Sequence, residues 1–273
     1  MKTFLARRWL LALVTLAVGA GIVFGWQLGV IALRPMAIYS GWLLMALVLV
    51  LTFFNARKKL PFLPLLSASA WMQAHIYLGW LGCFVFVLHT GGRMPDGRLE
   101  VVLAAVFGVV AASGAFGLWL SRWLPPRLVR SGESLVYERI PSLRHQLANE
   151  VKEVVRRAEV EAQSSTLPDL YLRVLHPYFL RVPPLLAPLT GDARAAHHVR
   201  QELESARRYL NPAELNLAGE LDELVEAKRN LDTQLAGQRL LKLWLFLHLP
   251  LTYAMLVLIA AHVWVALQYS HRL

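Results

Sequence analysis

Cysteine is nearly missing from this chain. Cys83 stands alone inside an apolar run, so there is no pair of thiols to complete a metal site, and the residue itself reads as small packing. Acidic residues are unevenly spread. The 273 residues hold 18 Asp and Glu against 28 Lys and Arg, but 16 and 14 of these fall in 131–239, leaving 2 against 14 elsewhere. No basic stripe interleaved with aromatics accompanies the high isoelectric point of about 10.1, so nucleic acid is excluded as a partner. The excess cations instead flank apolar runs, where they set topology and meet anionic lipid headgroups. Flavin, nucleotide and iron–sulfur motifs are also missing, so any redox role needs other proteins or a lipid-soluble carrier to supply and accept electrons.

What the chain has is apolar length. With 56% hydrophobic residues and a mean hydropathy of +0.46, it is too apolar for an ordinary soluble domain. Five runs stand out, at 9–33, 36–54, 71–90, 101–121 and 240–268. The first follows a short basic start and is expected to be a retained span rather than a cleaved signal. The expected fold is all-α: a polytopic membrane helical bundle of five transmembrane helices with a helical cytoplasmic insert. The divisions fall at 1–60 for the first two spans, 61–130 for the third and fourth, 131–239 for the insert and 240–273 for the fifth. Eleven cations at one set of span ends, from Lys2 to Lys242, against Arg34, Arg93, Arg98 and Arg272 at the other place the N-terminus in the cytoplasm and the C-terminus outside.

Two of the runs carry matched histidines. His75 and His89 lie in the third, His248 and His262 in the fifth, and each pair is 14 residues apart. On a helix that spacing brings both rings to nearly the same face, displaced by roughly 21 Å along the axis. One ion cannot use two ligands so far apart, so the four residues serve two sites, each taking one histidine from each helix. The third and fifth spans point the same way, which pairs His75 with His248 toward the cytoplasm and His89 with His262 toward the outside. Zinc wants about four ligands per site, and these segments offer no Asp, Glu or second Cys to complete a set. Two imidazoles are what the axial positions of a haem iron accept, and without a CxxCH motif the haem is noncovalent. The plainer reading is four separate histidines in core or interhelix hydrogen bonds.

This arrangement resembles the diheme membrane cytochromes b, the group that includes the quinol-oxidising respiratory cytochromes and the b561-like carriers. It departs from the respiratory members in its long polar insert, and from five-helix fumarate-reductase anchors in having no histidine in the first two spans. The resemblance implies two haem b groups, exchange with quinone or quinol, and membership of a larger complex with other redox subunits. It also implies that Gly108, Gly114 and Gly117 of the fourth span leave room for porphyrin faces, although plain helix crossing explains them equally. Gly19, Gly21, Gly25 and Gly29 of the first span permit a similar close approach. Arg122 and Lys242 at the inner span ends, with Arg93 and Arg98 at the outer, are candidates to neutralise haem propionates; a role in orienting the loops accounts for them as well. A stand-alone reductase of the b561 kind and a transporter or scaffold with structural histidines are the competing classes.

In the insert, Ile140-Pro141 starts a helix through about residue 162, Asp192 caps a second to about 210, and Asn211-Pro212 starts a third. Between the first two lies a proline-rich stretch, 167–188, read as a packed loop or a membrane-surface segment. Leu217, Leu221, Leu224, Leu231 and Leu235 repeat at heptad-like spacing, so the third helix packs against a partner: another insert helix or a second protein. That helix runs on into the fifth apolar run. His145, His176, His197, His198 and His271 lie outside the spans and are expected at the surface.

Overall fold

A computed structural model describes residues 2–53, 68–124, 137–163, 165–190 and 194–270. The cationic stretch 55–59, Pro125, Pro126, Arg127, Arg130, Asp192, His271 and Arg272 lie outside them. Among the described residues every regular element is helical. The main ones are α1 (Lys2–Ile31), α2 (Met36–Thr52), α3 (Ala68–Thr90), α4 (Arg98–Trp123), α5 (Ile140–Glu161), α6 (Thr166–Leu170), α7 (His176–Leu180), α8 (Ala187–Thr190), α9 (Arg194–Ala206) and α10 (Pro212–Ser270). They form two units, one of residues 1–118 with 246–273 and the other of 119–245.

In the first unit a tight turn at Arg34-Pro35 separates α1 from α2, with Leu33 in the left-handed region (φ 52°) and Arg34 N–H returning to Gly29 O at 2.9 Å. α3 ends in a paired-glycine cap. Gly91 and Gly92 take φ of 61° and 69°, and their N–H groups return to Leu88 O and Val87 O at 3.2 and 3.0 Å, a closure that side-chain-bearing residues rarely adopt. Leu47, Leu81 and Val85 are buried between α2 and α3 with Ile22 of α1 against them. Phe86 and Phe107 stack at 4.3 Å and join α3 to α4. The expected close approach along α1 is met at two of its four glycines: a Cβ on Gly29 would run into the Met36 side chain at the start of α2 and one on Gly19 would touch Phe84 of α3, whereas one on Gly21 or Gly25 would meet nothing within 4 Å.

Four helices contain apolar stretches long enough to cross a bilayer: Trp9–Ile31, Ser69–Thr90, Arg98–Trp123 and Pro212–Gln268. Only between 6% and 17% of their most apolar windows is buried within the protein. Leu16, Phe24, Phe246, Val257 and Trp264 are each more than 60% exposed, a covering that only lipid makes stable. The chain is therefore an integral membrane protein. α2, at 17 residues, is shorter than these, reaching about 26 Å against a hydrocarbon core of about 30 Å.

The second unit is the insert with the adjoining helix ends. α5 buries Val151, Val154, Val155 and Ala158, α9 buries Ala196, Val199 and Leu203, and α10 buries Leu217, Ala218, Leu221 and Val225, all in one cluster. Each such valine or leucine contributes about 1.5–3 kcal/mol relative to exposure. The heptad stripe is thus covered by both earlier insert helices. α10 starts with a reciprocal cap: Asn211 Oδ1 accepts from Glu214 N–H at 2.8 Å, and Glu214 Oε2 accepts from Asn211 N–H at 2.6 Å. The proline-rich stretch is not a loop as far as Leu180. α6, a π-helical turn (Tyr171–Leu175) and α7 follow one another, with Leu167, Leu170, Leu175, Tyr178 and Phe179 in the same core. Pro168 and Pro177 stand in first helical turns, where a missing N–H costs nothing.

Candidate functional site

The four span histidines lie on α3 and α10, and the structure brings them together in the pairs that parallel helices require. The rings of His89 and His262 are 6.4 Å apart between centroids, with planes at 86°. His248 stands within electrostatic range of His75. Metal–imidazole bonds of about 2.0–2.1 Å, with centroids about 1.1 Å behind their nitrogens, put two rings on opposite sides of one ion about 6.3 Å apart. The observed separation is of that size, and in-line ligation leaves the angle between ring planes free.

Two of the four rings, His89 and His248, are held through Nδ1 by helices that carry no histidine. Ala37 O of α2 is 3.1 Å from His89 Nδ1, and a carbonyl can only accept, so Nδ1 carries the proton and Nε2 keeps its lone pair. Ser40 Oγ, itself donating to Met36 O at 2.8 Å, lies 3.1 Å from the same nitrogen. Gly41 is what allows the ring this close: a Cβ there would stand 3.1 Å from His89 Cε1. On α4, the Ser113 hydroxyl donates to Val110 O at 3.1 Å and accepts from His248 Nδ1 at 2.5 Å, which again leaves Nε2 as the open nitrogen. Glu100, in the first turn of α4, places Oε1 3.6 Å from His262 Nδ1. That distance is beyond a hydrogen bond, so the anchoring usual for a metal-binding histidine, through its second nitrogen to a carbonyl or polar neighbour, is seen at His89 and His248.

Of the fourth-span glycines, Gly114 faces His248, since its Cβ would lie 3.8 Å from Cε1, Gly108 would meet no atom within 4 Å, and Gly117 is buried. Arg93 and Arg98 are exposed in the first unit. Arg122 and Lys242 belong to the second unit, where Arg122 is exposed; Lys242 Nζ reaches Glu138 at 3.5 Å and sits 3.4 Å from the centre of the Tyr137 ring. Outside the spans, His176 packs edge-on against Tyr171 and His198 is 3.8 Å from Glu202, so neither joins the four. Among the described residues no three His, Cys, Asp or Glu side chains converge as a metal site.

Ser40, Gly41, Glu100 and Ser113 are the contributions that the sequence reading misses. Glu100 had a visible signal, being one of only two acids outside the insert. No family model matches the chain, and no curated protein or solved structure matches it either.

Proposed function

We propose that this chain is a diheme b-type cytochrome that moves electrons across the membrane, with His75 and His248 holding one haem b and His89 and His262 the other. The observation that carries the reading is the His89–His262 pair, whose 6.4 Å separation suits two ligands of one iron while Ala37 O keeps the His89 Nε2 lone pair open. Haem would supply a one-electron iron couple at each pair. The protein's own residues do the positioning. Ser113 holds the His248 tautomer, Glu100 stands 3.6 Å from His262 Nδ1, and Gly41 and Gly114 admit the rings against α2 and α4.

The charge bias of the span ends supports five crossings with the N-terminus in the cytoplasm, α2 being the short one, and so sets the His75 pair toward the inner face. Arg93 and Arg98 are the candidates to pair with propionates at the outer end and Arg122 at the inner. Exchange with quinone and assembly with other redox subunits rest on the resemblance to diheme cytochromes b.

Gly41→Ala is expected to push the His89 ring by a few tenths of an ångström, and so to alter the low-spin electron paramagnetic resonance signal of one haem while leaving the other unchanged. Function is tested in vesicles that enclose ferricyanide, with a membrane-impermeant reductant outside. Vesicles containing the protein should reduce the trapped ferricyanide, whereas vesicles with His89→Ala should not. Equal rates with and without the protein would reject transmembrane electron transfer.

A further inference from the structure

The stretch from α6 to α8 has two faces, and the core uses only one. Facing away from that core, Leu172 is 68% exposed, Leu180 64%, Val182 53% and Leu186 52%. Four large aliphatic side chains so open within fifteen residues would be a liability in water. The position of Leu185 says what covers them. It packs with Leu120, Trp123 and Leu124 at the end of α4 and with Leu240, Leu241 and Trp244, where the apolar run of α10 begins. These are the points at which two long apolar helices leave the hydrocarbon, and Trp123 and Trp244 are the ring type favoured at headgroup level. The local backbone suits the same place. Pro183 and Pro184 follow α7 in non-helical backbone and bring no N–H groups that a poorly hydrated boundary would leave unsatisfied. Arg173, ion-paired with Asp169, and Arg181 flank the aliphatic residues with cations that can lie among lipid phosphates.

We propose that residues 172–186 form an interfacial anchor, in which Leu172, Leu180, Val182 and Leu186 enter the headgroup–acyl boundary of the membrane that the chain itself spans. Burial there is shallow, about 5–10 Å below the headgroups. The anchor fixes the insert's core against the bilayer at the ends of α4 and of the apolar part of α10. It is independent of what the histidines hold.

The test is fluorescence labelling of the full-length chain. Single-cysteine variants Leu172→Cys, Leu180→Cys, Val182→Cys and Leu186→Cys, in a Cys83→Ser background, are labelled with an environment-sensitive dye and reconstituted into vesicles of phosphatidylcholine and phosphatidylglycerol. Glu204→Cys, on an exposed carboxylate, gives the water reference, and Val257→Cys gives the lipid reference. The anchor requires blue-shifted emission at all four positions, loss of iodide quenching relative to Glu204→Cys, and stronger quenching by lipids spin-labelled near the headgroup than by lipids labelled deep in the chain. Emission and iodide access equal to those of Glu204→Cys would overturn it. So would protection from iodide without any lipid quenching, which would mean that another protein surface covers this face. Because these positions are exposed, each variant is expected to fold, and one that does not is replaced by labelling the adjacent exposed position.

Discussion

Replacing His89 by alanine should remove the same spectral component as replacing His262, and each variant should retain half of the haem of the parent protein. The reason is geometric. The two ring centroids lie 6.4 Å apart, so on the proposed reading one iron would take a bond from each ring, and loss of either imidazole would leave that same iron short of a ligand. His75→Ala and His248→Ala should together define the other component. Difference spectra of the four purified variants, with haem content measured per chain, decide the matter. A common loss for His75 and His262 would mean that α3 and the apolar part of α10 run antiparallel, which would also overturn the span count.

The second large effect lies far from the histidines. Lys228 is 1% exposed, yet its ammonium reaches the Asp232 carboxylate, the Arg181 carbonyl at 3.3 Å and the face of Tyr178 at 4.5 Å, while Arg144 Nε approaches Asp232 Oδ1 at 3.1 Å. Burial pushes the lysine down and the aspartate up from their ordinary pKa values, and the opposite charge of each partner resists both shifts. Asp232→Ala leaves the buried ammonium uncompensated and should destabilise the insert by about 3–5 kcal/mol, whereas the double change Lys228→Met with Asp232→Leu should cost much less, since only Arg144, which also donates to Arg181 O, then loses a carboxylate. Denaturant unfolding in detergent, followed by the helical signal, would show the two variants far apart. Equal stabilities would mean that the pair is not held away from water.

The histidine pairing was legible because a 14-residue spacing inside an apolar helix is a strong geometric constraint, and matched spacings on two helices reinforce it. The anchoring groups were not. Ser40, Gly41 and Ser113 are small residues in apolar runs, with no period that separates a histidine partner from ordinary helix packing. Glu100 was readable from its rarity, but nothing in the chain order tells that the first turn of α4 stands beside His262. The insert's helix starts at Ile140 and Asn211 followed from proline and cap chemistry. Its middle did not, because Pro168 and Pro177 read as breaks when taken one by one, whereas each occupies a first turn.

Lys228 is the most instructive case. Leu217, Leu221, Leu224, Leu231 and Leu235 leave one gap in a spacing of four and three, and Lys228 fills it. A cation in the seam of an otherwise apolar stripe is buried with the stripe, and Asp232 one turn later is the partner this position demands. The i,i+4 pair looks like a solvated surface pair until the register of the leucines is extended through it.

The measurement that bears most directly on the central claim is a pyridine haemochrome assay on the full-length protein purified from haem-replete cells, combined with a protein determination. The expected result is two noncovalent haem b per chain, low-spin in the oxidised state, with each histidine pair accounting for one. A preparation with no Soret absorbance, or with a single haem that survives substitution of all four of His75, His89, His248 and His262, would contradict it.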